Sequence, residues 1–459
     1  MQEFLNTTSL KDSKEALFRL ENGLEGTPEI FDNAKSENIH PNKEAMSVLG
    51  EDLQTYIGVR GPISVYDYML QCSNHFVHGY YQTSLSKIGA QGDFVTAPEM
   101  SQLFGEMVGM WCLSQWMSLG KPERISLVEM GPGKGTLMQD ILNVAIKFPR
   151  FHAALHVHMV ELSDSMRSVQ RAALGCPEPA PKTVKSNLKQ TANAEEILQD
   201  GATPLQSRDG VPVSWHYALQ QVPEDKEVPI LAIGQEFLDA FPVHQFVYDG
   251  GGWKEKLVDV CRSAESNYHF RFVLSPTSTP ATRALLGAVG DNSTSVGHRE
   301  GDTLEISPIG LATCESLGAR ICRTGGAALF IDYGENYTQG DTLRGFRKHQ
   351  LVSPLSMPGV TDITADVDFS ACARAAAKRG AVALGAIPQG EFLIRMGVVD
   401  RAQQLIEANA TSDDDALRLL KSLKRLVDVN DMGMRFKVLT FMDPRRELNT
   451  IGFPVPNRM

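Results

Sequence analysis

The residues with the clearest chemical content lie just past the apolar run Ile125–Val128, where the chain reads Glu129-Met130-Gly131-Pro132-Gly133-Lys134-Gly135 and then Thr136. An acid at a strand end followed by alternate glycines lets the backbone approach a ligand closely. A phosphate loop needs Gly-Lys followed directly by Ser or Thr, and Gly135 interrupts that order. A dinucleotide fingerprint needs a third glycine where Thr136 stands. The turn better suits the amino-acid end of a cofactor without phosphate, S-adenosylmethionine, with Glu129 orienting the turn or the ligand's ammonium. Glu161 closes the next apolar run, where an acid accepts both ribose hydroxyls. Glu129, Gly131, Gly133, Gly135 and Glu161 are therefore the candidate cofactor residues. An ordinary strand-to-helix connection is the competing account of the turn taken alone.

Three further acids are expected at the carboxyl edge of the same sheet, where ligands of open parallel sheets sit. Glu236 and Asp239 follow one apolar run, and Asp332 ends another. Methyl transfer from a sulfonium needs a nucleophile in line with a free lone pair. A guanidinium is the hard case, because its pKa lies above ~12. A pair of carboxylates that holds the fork and withdraws a proton meets that need. Glu236 and Asp239, three apart, are the candidate clamp, with Asp332 beside them. The competing account makes Asp239 a helix cap and Glu236 a solvated rim residue. The polar segment carrying Asp93, Thr96, Pro98, Glu99, Ser101 and Gln102 is a candidate lid over the cofactor, or else a capped helix start at Glu99 or Ser101.

The elements that must position these groups show in the hydrophobic pattern. Strands are predicted at Ile125–Glu129, His156–Glu161, Val211–Tyr217, Pro229–Gly234, Ala327–Tyr333, Ala381–Ile387 and Phe436–Met442. Helices are predicted at Thr136–Phe148, Asp164–Leu174, Pro308–Arg323 and Val367–Arg379. This alternation is the signature of βαβ units and a parallel sheet. Two helical stretches, Pro62–Gln82 and Glu99–Leu119, precede it, and Trp111 and Trp116 fall on the apolar pattern of the second. Residues 244–275 alternate aromatic and polar around Gly250-Gly251-Gly252 and read as an antiparallel insertion, while 389–430 read as a helical one. The layout is thus a loosely ordered extension over 1–55, a helical lead-in over 56–120, a core over 121–445 with those two insertions, and a tail over 446–459.

Composition bounds the rest. The 459 residues are 42% apolar, enough for a sizeable core. A net charge of −11 disfavours a general nucleic-acid binder and suits a basic protein partner. Seven cysteines without zinc spacing point to a reducing compartment, and His75, His78, His216 and His244 share no metal-ligand spacing, so no metal is expected. No apolar run reaches the ~18 residues of a membrane span. The first fifty residues mix acids with bases and make a poor mitochondrial transit peptide.

Taken in order, these motifs resemble the MidA-like family of S-adenosylmethionine-dependent protein arginine methyltransferases, the mitochondrial assembly factors of respiratory complex I and their bacterial relatives. The resemblance runs from Gly61-Pro62-Ile63 and Gly79-Tyr80-Tyr81 through Gly92–Glu99, Ser101–Glu106 and the EMGPGKGTL turn. It continues through Glu236–His244, Asp332-Tyr333-Gly334, Asp341–Phe346, Thr364–Phe369, Gly390–Leu393 and Arg435–Leu439. It implies a class I methyltransferase, a Rossmann-like, doubly wound, seven-stranded α/β sheet. It also implies dimethylation of an arginine on a core peripheral-arm subunit of complex I, in the mitochondrial matrix, during assembly. One departure is Gln235, where the family usually has Asn. An assembly chaperone with a retained cofactor pocket, or methylation of another protein or a small molecule, are the alternatives.

Overall fold

Ile125–Met130 is buried at every position, as a strand must be when helices cover both faces of its sheet. It is β1 of a core sheet continued by β2 Leu155–Val160, β3 Pro212–His216, β4 Ile230–Gln235, β5 Gly326–Glu335, β6 Val382–Pro388 and β7 Phe436–Met442. The computed structural model describes residues 44–83, 95–178, 204–263, 266–287, 298–409, 413–445 and 450–454. The seven strands lie in the order β6-β7-β5-β4-β1-β2-β3, with the short strand Leu205–Gln206 outside β3. The order reverses between β4 and β1, so a crevice opens at the carboxyl ends of these two strands, beside the glycine turn.

The expected doubly wound sheet is present, with one correction: it is mixed. β7 runs antiparallel to both β5 and β6, and the described pairs among the other core strands are parallel. The helical insertion explains the reversal. β6 ends at Pro388 and the chain returns to the sheet at Phe436, whose β7 register sets Lys437 opposite Pro388. Since the insertion leaves and re-enters on one edge, β7 runs back without a crossover.

Helices cover both faces. On one, α1 Thr136–Ala145, the lead-in helix Gln102–Ser118 and the helical insertion pack with β1 through Leu127, Phe104, Ile141 and Trp111. On the other, α3 Pro308–Thr324 and α4 Phe369–Ala377 pack against Val128, Ala232, Phe330 and Leu439. Between β2 and β3 comes α2 Asp164–Leu174, capped by the Ser163 hydroxyl, which accepts from the Met166 N–H, and closed by Gly175 at φ +68°.

Two readings of the lead-in are corrected. A helix over Val48–Arg60 lies where the sequence shows no sustained periodicity, its inward stripe being Leu49, Leu53 and Ile57. The stretch 62–82 is broken: a helix covers Val65–Asn74, a short one Tyr80–Thr83, and Phe76 between them is 90% exposed. The helices Val48–Arg60 and Val65–Asn74 pack with the antiparallel insertion His244–Tyr248, Trp253–Val260 and Phe270–Leu274, whose sheet is completed by Thr303–Ile306 and Ile63–Ser64. A second small sheet, Arg344–Arg347, Gln350–Val352 and Asp362–Thr364, is absent from the sequence reading. No helix among the described residues is long and apolar enough to cross a membrane.

Candidate active site

The glycine turn has the backbone its composition requires. Gly131, Gly133 and Gly135 have φ of +64°, +50° and +84°, the left-handed region that glycine enters without steric cost. A Cβ on Gly131 would stand 2.9 Å from Phe237 Cδ2, so this glycine lets β1 and the chain after β4 close together. Beside the turn lies a cleft of about 370 Å³, lined by Glu129, Gly131, Gly133, Val160, Glu161, Met166 and Tyr217 and by Tyr81, Gln235, Glu236 and Phe237.

Glu129 is 3% exposed, and its Oε2 has no hydrogen-bond partner. Burial pushes its carboxyl up to about 8, opposed by the Met138 backbone N–H. An orphaned, buried carboxylate oxygen at the cleft wall is the acceptor an incoming ammonium would satisfy. Glu161 accepts from the Ser163 N–H at 2.8 Å and from the Gln170 amide at 3.0 Å. Each of its oxygens thus keeps a lone pair for a ribose hydroxyl. Gln170, fully buried and missed in the sequence, also donates to the Gly133 carbonyl at 2.7 Å and accepts from the Trp215 indole at 3.0 Å. One amide therefore ties the turn to the second acid. Its position on the inner face of an amphipathic helix is the only signal the sequence held. The Arg167 guanidinium lies 3.6 Å over the Tyr217 ring, which with Leu162 and Leu219 makes the apolar end of the cleft. These groups fit S-adenosylmethionine, which when bound supplies an electrophilic methyl on a sulfonium.

Not all the expected cofactor residues reach the wall. Thr96 and Pro98 line it, as does Glu99, whose carboxylate accepts from the Thr136 hydroxyl at 2.6 Å and stands 3.6 Å from Lys134 Nζ. Ser101 instead caps the helix Gln102–Ser118, and the Gln102 amide turns to Glu106 at 3.2 Å, so neither lines the cleft. Gly135 stands behind the turn, against Gln170. Asp93 falls outside the described residues.

The three acids of the opposite edge occupy three depths. Glu236 lines the cleft, in a left-handed backbone at φ +47° that costs a non-glycine residue energy. Asp332, 1% exposed, lies beneath it: its Oδ2 accepts the N–H groups of Phe237, Leu238 and Asp239 at 3.1, 2.9 and 3.2 Å. With the Glu236 N–H bonded to the Ile331 carbonyl at 2.9 Å, these contacts hold the strained turn. Asp239 also stays out of the cleft wall. It accepts from the Tyr333 hydroxyl through Oδ2, while its Oδ1 has no partner. Burial pushes Asp239 up to about 6, against the pull of Tyr333 and Arg344. Glu236 is pushed up to about 8, first by burial and then by the charge of Asp239. The Gln235 amide donates to Glu236 Oε1.

A Rossmann-like sheet with a glycine turn, an acid at the carboxyl end of each of its first two strands and an apolar slot beside them defines an S-adenosylmethionine-dependent methyltransferase. Comparison with known proteins narrows the class. A family model for S-adenosyl-L-methionine-dependent methyltransferases matches residues 107–387. Protein arginine methyltransferase NDUFAF7, mitochondrial, of Danio rerio is 36% identical over 399 residues, 86% of this chain and 86% of the relative. The Homo sapiens protein of the same name is 35% identical over 417 residues, covering 90% and 87%. A Burkholderia thailandensis crystal structure bound to S-adenosyl-homocysteine superposes with a TM-score of 0.67 at 26% identity, over 88% of this chain and 93% of that one. The chain belongs to this S-adenosylmethionine-dependent methyltransferase family, the MidA-like one its motifs resemble. The relatives' names agree with the expected mitochondrial address.

Proposed function

We propose that the chain methylates a protein arginine, and that its target is an arginine of a core peripheral-arm subunit of complex I, dimethylated in the mitochondrial matrix during assembly. The supporting observation is the acidity of the acceptor end. Glu236 faces the cleft with the unpartnered Oδ1 of Asp239 behind it. Among the described residues lining the cleft the only basic one is Lys134, which stands beside Glu99. An acceptor that carries positive charge and several N–H donors meets that deficit. Arrival of the cation lowers the Glu236 pKa by opposite charge, so the carboxylate forms as substrate binds. Glu236 then orients the guanidinium and takes the proton its nitrogen sheds as that nitrogen bonds the methyl carbon, the carbon–sulfur bond breaking and its electron pair leaving with a neutral thioether. The named activity of the relatives supports the same acceptor.

The test is to incubate the purified protein and methyl-tritiated S-adenosylmethionine with matrix extract from cells that lack the protein, then hydrolyse the labelled band. Label in methylarginine of a peripheral-arm subunit is expected. Label in lysine, or in the small-molecule fraction, overturns the reading.

A further inference from the structure

Glu236 alone cannot satisfy a guanidinium, whose five N–H donors outnumber what one carboxylate fork engages. Facing the same cleft is Tyr81, from the short helix Tyr80–Thr83, and its hydroxyl donates to Asp362 Oδ1 at 3.1 Å. Asp362, 4% exposed, opens the strand Asp362–Thr364, where it pairs in register with Phe346. The Tyr81 ring is fixed from the side by Tyr80, 1% exposed and edge-on at 5.2 Å.

A phenol has one hydrogen to give and lone pairs to offer. Here the hydrogen is committed to a buried carboxylate, so toward the cleft the oxygen is an acceptor. A ligand with only N–H donors and a positive charge fits such a surface, whereas one presenting lone pairs does not.

We infer that Tyr81, oriented by Asp362, is the second wall of the acceptor site: its hydroxyl oxygen accepts an N–H of the guanidinium that Glu236 does not engage. This rests on the arginine reading and adds a specificity residue to it. Tyr81 binds the substrate and Asp362 positions Tyr81. Asp362 comes from the small sheet and Tyr81 from the lead-in, so two segments outside the seven-stranded core complete the pocket.

The experiment measures steady-state kinetics of the full chain with an arginine-containing peptide from its substrate, together with calorimetric binding of S-adenosylmethionine. Tyr81→Phe keeps the ring and removes only the hydroxyl. KM for the peptide is expected to rise tenfold or more, with kcat changed much less and cofactor affinity within twofold of the parent. Asp362→Asn leaves a carbonyl that accepts the phenol hydrogen, so a smaller rise in KM is expected. An unchanged KM in Tyr81→Phe overturns the inference, as does a loss of cofactor affinity and melting temperature that accounts for the kinetic defect. If Glu236→Gln is inactive while Tyr81→Phe is unaffected, only this inference falls. If the parent methylates no arginine, the underlying reading falls first.

Discussion

Replacing Glu129 by Gln removes a charge that the fold holds at a cost and the cofactor is expected to use. The carboxyl is 3% exposed and sits at about 8 in the folded chain against an ordinary 4.5. A raised carboxyl pKa means the folded state prefers the proton, so the penalty is absent below the unfolded pKa, grows as pH rises and is complete above the folded value. At ~1.4 kcal/mol per pH unit, the cost is about 3 kcal/mol at pH 7 and about 4 kcal/mol at pH 8, where the group is half ionised. Glutamine keeps the shape and carries no charge. The cofactor-free Glu129→Gln protein should therefore gain little over the parent near pH 5 and several kcal/mol near pH 8, while S-adenosylmethionine affinity falls at least tenfold. Urea unfolding of both proteins at the two pH values, with calorimetric titration of the cofactor, reads both effects. A stability difference that does not vary with pH, or a variant that binds the cofactor as the parent does, would refute the reasoning.

The same physics sets the pH dependence of turnover: with Glu236 at about 8, kcat/KM for an arginine peptide should rise about tenfold per pH unit up to that value and level above it. A flat profile between pH 6 and 8 contradicts this assignment. Asp332→Ala strips Phe237, Leu238 and Asp239 of their shared N–H acceptor, and should cost about 3 kcal/mol or more in urea unfolding. A loss under ~1 kcal/mol would mean the turn after β4 is held by other contacts. Gly131→Ala forces a methyl to 2.9 Å from Phe237 in a left-handed backbone, so cofactor affinity should fall about tenfold by calorimetry, whereas Gly250→Ala, in open space on the insertion, should leave it unchanged.

What was legible in the sequence follows from what each residue's surroundings impose. β1, β4 and β5 are buried on both faces and show as continuous apolar runs, and the glycine turn shows because its left-handed backbone admits little else. Strand direction leaves no trace in side-chain periodicity, so the reversal of β7 was hidden. The helix Val48–Arg60 was hidden for a different reason: exposed Val48, Tyr56 and Val59 blur the contrast with its buried Leu49, Leu53 and Ile57. Strands of three or four residues, as in the small sheet that supplies Asp362, are too short for an alternation to register.

The acidic edge shows where such reading stops. Glu236, Asp239 and Asp332 were all drawn to one crevice by their place after β4 and at the end of β5, and spacing gave no means of ranking them. Along a strand, alternation decides which side chains share a face. Past Gln235 that rule lapses, because Glu236 adopts φ +47° and the chain turns over Asp332. Asp332, expected beside the clamp, is spent on three backbone N–H groups. That use is what allows Glu236 to hold a conformation an unsupported glutamate would leave. Asp239, between them, adds charge to the burial that raises Glu236 rather than a second contact with the cleft. Asp332→Ala should therefore lower turnover through Glu236, abolishing the rise of kcat/KM toward pH 8 as well as the stability of the turn. A variant that keeps the rise would show the clamp stands without its support.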